Sequence, residues 1–212
     1  MQKLSCLSQA LKQQNWSELD KELTAFFPNI TTFRSQDGTV KFLLRLANSN
    51  QIETVLIPFH KKYSVCLSSQ VGCQVKCQFC FTGTLKNFRQ LSAEEIFGQY
   101  AVALSFVRKQ VPQAPVPNIV LMGQGEPLQN FENVKLALNA LMHPTGLYVG
   151  PRQITLSTAG HLPGLERFKE LGGINLALSL HAATDELRTQ LIPLNRLYPL
   201  AEVKKALLNQ VS

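Results

Sequence analysis

The chain has 212 residues, 45% of them hydrophobic, and carries 21 Lys and Arg against 14 Asp and Glu, a net charge of +7. That composition describes an ordinary globular protein able to bury on the order of 70% of its unfolded surface. No run reaches the roughly 18 apolar residues of a membrane span, and the basic surplus suits either a polyanionic partner or plain solubility.

Residues 1–20 carry Lys3, Lys12, Gln13 and Gln14 without an apolar core of signal-peptide length, so a cytoplasmic setting with no membrane contact is expected. There thiols stay reduced and free to act as ligands. Leu4, Leu7 and Leu11, then Leu19, Leu23 and Phe26, recur at helical spacing and predict helices over 3–27, closed by Pro28. Cys6 reads as a core residue of this region. Residues 40–46 and 52–58 read as hairpin strands across a polar loop. Two regions are expected: an accessory region over 1–52, holding the helices and the start of the hairpin, and a core over 53–212.

From residue 60 the pattern changes to strand, loop, helix, repeated. A strand over 63–67 leads into Cys73-Gln74-Val75-Lys76-Cys77-Gln78-Phe79-Cys80. Ser92 with Glu95 forms a capping box that opens a helix to about 109. A buried-type strand over 118–122 ends in Gly123-Gln124-Gly125-Glu126-Pro127, and a helix follows over 131–142. A strand over 153–156 ends in Ser157-Thr158-Ala159-Gly160, with a helix over 163–171. A strand over 174–180 ends at Ser179-Leu180-His181, and helices over 185–191 and 200–209 close the chain. Four strands alternating with helices predict an α/β fold with a parallel array. Each polar motif falls at the carboxyl end of its strand, where β/α barrels build their sites.

Three of the five cysteines lie within eight residues, Cys73, Cys77 and Cys80. A loop that short can wrap three thiolates around an iron–sulfur cube and leave one iron open. The competing reading is a tetrahedral zinc site with Cys66, seven residues upstream, as fourth ligand. Gly123-x-Gly125 is not a dinucleotide fingerprint, because the third glycine is missing and Pro127 intervenes. Glu126 fits either an amine-binding carboxylate or a helix N-terminal acid. Ser157 fits a cap or turn as well as a ligand contact, and His181 either a ligand contact or a structural histidine. Lys61, Lys62, Lys86, Arg89 and Arg152 are the basic candidates for a polyanion, or solvated surface.

Four segments together, 66–73, 123–128, 155–160 and 179–182, resemble the radical-SAM RNA adenine methyltransferases of the RlmN/Cfr type, from about residue 38 onward. The resemblance implies a partial (β/α) barrel of the radical-SAM type with a small N-terminal appendage. It implies a 4Fe-4S cluster on Cys73, Cys77 and Cys80, and S-adenosyl-L-methionine (SAM) bound by Gly125, Glu126, Ser157, Ser179, Leu180 and His181. Glu53 would be a proton acceptor, and Cys66 the thiol that releases methylated RNA. The implied activity uses two SAM molecules to methylate an adenine, at carbon 2 or in one branch carbon 8, of 23S rRNA and in some members tRNA. An electron donor for the cluster is also implied, and a monomer is expected. A metal-bound RNA-binding module without turnover and a different radical-SAM reaction are the alternatives. The family's methyl-carrying cysteine and a SAM-contacting asparagine have no counterpart up to Ser212, so a C-terminally shortened chain is expected, one that cleaves SAM without methyl transfer.

Overall fold

The computed structural model describes residues 2–60, 62–144 and 146–211. The chain begins with α1 (Gln2–Lys12) and α2 (Trp16–Phe26), the latter capped by the Asn15 side chain, which accepts from Glu18 N–H. A meander follows: β1 (Asn29–Arg34), β2 (Val40–Arg45), β3 (Gln51–Phe59) and β4 (Lys62–Cys66), each antiparallel to the one before. Asp37-Gly38 turns β1 into β2, with Gly38 at φ +85° and the Asp37 carboxylate accepting from Thr39 N–H. A short pairing of β5 (Gln70–Val71) with β6 (Arg89–Gln90) precedes α3 (Ala93–Gln110). Three strand–helix units complete the chain: β7 (Asn118–Leu121) with α4 (Phe131–Met142), β8 (Ile154–Thr158) with α5 (Leu162–Glu166), and β9 (Asn175–Leu178) with α6 (Asp185–Leu191) and α7 (Leu200–Val211).

These strands form one seven-stranded sheet in the order β1-β2-β3-β4-β7-β8-β9, in which β4, β7, β8 and β9 are parallel. The parallel half is the partial (β/α) barrel expected from the sequence. The expected division at residues 52 and 53 falls inside β3, which carries the meander into that barrel.

One face of the sheet is apolar because the strands alternate. Val40, Phe42, Leu44, Ile52, Leu56, Val65, Ile119, Leu121, Ile154 and Leu156 are buried in one core with Phe97, Tyr100 and Leu104 of α3. Burying each such side chain stabilises by roughly 1.5–3 kcal/mol. Helices α1, α2 and α4 pack on α3. Gly98 makes that packing possible: a Cβ there would lie 2.8 Å from the Phe27 ring. Ser92 caps α3 with Glu95 as the sequence requires.

The opposite face is only half-covered, its residues intermediate or exposed. One register row crosses all seven strands on it: Phe33, Lys41, Val55, Cys66, Val120, Thr155 and Asn175.

Three expectations need correction. The predicted helix over 163–171 breaks at Arg167 (φ −93°, ψ 2°), where α5 gives way to a 3-10 turn, Phe168–Leu171. There Arg167 reaches Glu132 at 2.8 Å and Glu170 at 2.8 Å. Cys6 is exposed, because it lies just outside the arc of Leu4, Leu7, Ala10 and Leu11 that α1 buries. The strand β1 had no counterpart in the expected elements; all six of its residues are exposed, so it shows no alternation.

Candidate functional site

The site lies at the carboxyl ends of β4, β7, β8 and β9. The chain leaves β4 through Ser68, whose N–H donates to Gln99 Oε1 (2.8 Å) and whose carbonyl accepts from Gln99 Nε2 (2.9 Å). Gln99 is fully buried on α3 and also accepts from Thr54 of β3 at 2.9 Å. This one side chain ties two strands to the central helix before the cysteine loop begins.

The loop is shaped by glycine. Gly72 sits at φ +67°, and a Cβ there would meet the Asn87 carbonyl at 2.3 Å, so no other residue fits. A Cβ at Gly83 would lie 3.0 Å from Lys76 Cα. Val75 packs with Ala159, Ile192 and Leu194, and Cys73 and Cys77 lie against the same patch. The Gln78 N–H donates to the Leu191 carbonyl at 2.9 Å, fastening the loop to the end of α6. Burial pushes the Cys77 thiol up to about 11, with the nearby Cys73 and Cys80 adding to it. Burial also raises Cys73, helped by Glu126 and Cys80. Three thiols and a carboxylate crowded together disfavour their own ionisation; a cation among them reverses that. Among the described residues no three His, Cys, Asp or Glu are grouped to hold a single metal ion. Cys66 stands apart, its thiol raised by burial and bonded by the Met122 N–H. Cys73, Cys77 and Cys80 on one loop are the soft donor set that an iron–sulfur cube would take.

Next to the loop, the turn after β7 packs on the backbone leaving β4. A Cβ at Gly123 would lie 2.7 Å from the Leu67 carbonyl, and one at Gly125 (φ +101°) 2.6 Å from Gln70 Cβ. The turn presents Glu126, which is 3% exposed. Its carboxylate accepts from Thr158 Oγ1 (2.8 Å), Ala159 N–H (2.7 Å) and Leu128 N–H (3.1 Å). Burial raises its pKa and these three donors oppose the rise. Glu126 is therefore first a clamp on the end of β8, with an acceptor position left on Oε2.

Ser157 and Ser179 meet, their hydroxyls 3.1 Å apart across β8 and β9. Leu180 is exposed, and His181, at φ +58°, sets its ring 4.4 Å from that of Phe79 in the cysteine loop. The structure thus brings Gly125, Glu126, Ser157, Ser179, His181 and the cysteine loop to one rim. Glu53 and Cys66 lie on the half-covered face below it. Cys66 faces Val55 and Val120, and Glu53, two residues before Val55, shares that face. The Glu53 carboxylate is paired with Lys41 Nζ at 2.9 Å.

Sequence reasoning missed Arg188 and Asn195. Arg188 is fully buried and donates to four oxygens: Asn195 Oδ1 (2.7 Å) and the carbonyls of Ala159 (2.7 Å), Leu180 (3.1 Å) and Ser179 (3.3 Å). It thereby holds together the ends of β8 and β9. No signal pointed to it, since on α6 the apolar Leu187 is the exposed residue and the charged Arg188 the buried one. Of the basic candidates, Lys62, Lys86 and Arg152 are exposed, Arg89 is paired with Glu95 at 2.8 Å, and Lys61 lies outside the described residues.

Comparison with known proteins agrees with this geometry. The model of the radical SAM superfamily matches residues 67–209. A dual-specificity RNA methyltransferase RlmN of Marinobacter nauticus is 47% identical over 173 residues, covering 81% of this chain and 47% of that protein. The RlmN of Ruegeria pomeroyi is 44% identical over 199 residues, covering 90% of this chain and 51% of that protein. The chain spans about half the length of the curated relatives it matches. A crystal structure of a radical SAM methyltransferase from Sphaerobacter thermophilus superposes with a TM-score of 0.81 at 36% identity, covering 93% of this chain and 62% of that one.

Proposed function

The chain belongs to the radical SAM superfamily, and from that membership we propose that it is the cofactor-binding core of an RNA methyltransferase acting on carbon 2 of an adenine in 23S rRNA, and in tRNA beside it. Cys73, Cys77 and Cys80 would hold a 4Fe-4S cluster, three ligands serving four irons. What the bound group supplies is one-electron chemistry, which reaches an aromatic carbon that is no nucleophile for polar methyl transfer.

The chain's own residues bind and orient. Glu126 offers its remaining acceptor position to the ammonium of SAM while its clamp keeps the end of β8 in place. The Ser157–Ser179 hydroxyl pair and the Leu180–His181 segment line the same ledge. Glu53 faces the substrate side as a proton acceptor, and Cys66 as the thiol that attacks a protein–RNA adduct. Because burial raises the Cys66 thiol, it meets substrate protonated and needs a base to act.

The observation that carries this reading is the convergence of the cysteine loop, Glu126 and the two serines at one end of four parallel strands. RNA supplies the polyanion that the net charge of +7 suits, and an electron donor for the cluster is the second implied partner. Reconstituted without oxygen, the chain should bind about four irons, lose them in Cys77→Ala and keep them in Cys66→Ala. Deleting its gene should remove 2-methyladenosine from digests of 23S rRNA. Unchanged 2-methyladenosine in the deletion strain would overturn the substrate assignment, and tight zinc that depends on Cys66 would overturn the cluster.

A further inference from the structure

Arg188 is a buried cation that meets only neutral acceptors. Its side chain is 0% exposed, and each of its four hydrogen bonds ends on a carbonyl or on Asn195 Oδ1. Among the described residues no carboxylate forms an ion pair with it. A guanidinium stays charged wherever it is placed, and a buried charge without an anionic partner is costly. An arrangement of this kind calls for negative charge close by.

The fold puts the cysteine loop there. Ala159, whose carbonyl Arg188 grips, shares an apolar patch with Val75, Cys73 and Cys77. Leu191, one helical turn beyond Arg188, accepts the Gln78 N–H of the loop. Asp185 lies at the surface, where its carboxylate accepts from Leu200 N–H and Asn195 Nδ2, both at 2.8 Å.

We propose that Arg188 is an electrostatic positioning residue, its buried charge favouring the extra electron on the group that Cys73, Cys77 and Cys80 hold. This rests on the cluster reading above and adds to it a residue that touches neither SAM nor RNA. A fixed cation stabilises the reduced, more negative state over the oxidised one, so the midpoint potential rises. The same guanidinium ties together the carbonyls of Ala159, Ser179 and Leu180, and its charge and its hydrogen-bond fork are separable by mutation.

The test is a potentiometric titration of the reconstituted chain without SAM, followed by optical bleaching. Arg188→Lys keeps the charge and loses the fork; Arg188→Gln loses the charge. The paired exchange Asp185→Asn with Asn195→Asp sets a carboxylate directly against the guanidinium while preserving the 185–195 hydrogen bond in reverse. Arg188→Gln and the paired exchange should each lower the reduced-to-oxidised ratio at fixed potential roughly tenfold, about 59 mV for a one-electron couple. Arg188→Lys should stay within about twofold of the parent. An unchanged potential at full iron content in Arg188→Gln or in the paired exchange overturns the proposal. So does an equal fall in Arg188→Lys, which would assign the effect to the fork. If Arg188→Gln does not fold, the paired exchange decides. Iron content keeps the two ideas apart: a chain that never takes up iron fails the cluster reading, whereas an iron-loaded chain with an unmoved potential fails this one.

Discussion

From β1 to β4 the sheet is a meander of neighbours in sequence, turned by Asp37-Gly38 and by Asn48–Asn50, and held by plain antiparallel ladders over a hydrophobic face. From β4 to β9 the strands are parallel, and their ends are stitched by buried polar side chains: Gln99, Glu126, Asn130, Arg188 and Asn195. Asn130 Nδ2, for instance, donates to the carbonyls of Ser69 (2.7 Å) and Leu91 (2.8 Å). The meander contributes residues to the site through a shared face, and strand parity alone sets their direction. The parallel half contributes strand ends, which need individual partners because nothing regular follows them. Stability should therefore be concentrated in the apolar face, and site geometry in the stitches.

Phe42→Ala attacks the apolar face in the meander. Phe42 is fully buried and edge-on to Phe106 at 5.2 Å, so about 3–5 kcal/mol should be lost. Denaturant midpoints measure this, and SAM affinity below the midpoint should be unchanged. Glu126→Gln attacks a stitch. The amide keeps the shape but turns its own N–H2 toward Leu128 N–H or Ala159 N–H, costing about 1–3 kcal/mol. Here the smaller loss of stability should accompany the larger loss of SAM affinity by equilibrium dialysis. The reverse ordering of the two affinities would break the comparison.

Lys41→Met should cost less than about 1 kcal/mol, because Lys41 and Glu53 are 43% and 42% exposed and solvent screens the pair. A larger loss would mean that the pair is held more tightly than its exposure allows. The smallest effect is one of pH. His161 follows β8, its ring 5.8 Å from Tyr198, and burial holds its pKa below the ordinary value against a bond to the Leu128 backbone. The unfolded chain then takes up the proton first. Stability from the neutral ring is full above the unfolded value of about 6.5 and is lost as pH falls through the folded value. His161→Phe should flatten that part of the stability-versus-pH curve and leave the meander variants unaffected.

The same contrast explains what the sequence made legible. The strands over 40–46 and 52–58 and the α3 capping box were readable because alternation and capping are local signals. The motif loops were readable because glycines and cysteines at fixed spacing mark them. β1 was not, since an edge strand with both faces exposed has no hydrophobic period. Arg188 was not, because helical periodicity would bury Leu187 instead. Neither was the inward clamp of Glu126, whose partners Thr158 and Ala159 come from a different strand. Sequence patterns report what a residue does within its own element, and the stitches join elements.

β4 belongs to both halves, antiparallel to β3 and parallel to β7, and this has a consequence for the order of folding. Its meander contacts close short loops, whereas Ser64 reaches Asn118 only after the cysteine loop and α3 have been placed. Loop closure over that span delays the parallel pairing. The expected sequence of events is a meander that condenses early and a β4–β7 seam that forms in the rate-limiting step. Val65, fully buried at the seam, is the place to look: Leu44→Ala on β2 should slow refolding in full proportion to its loss of stability, and Val65→Ala should slow it in part. On this view the active rim is the last part of the protein to exist.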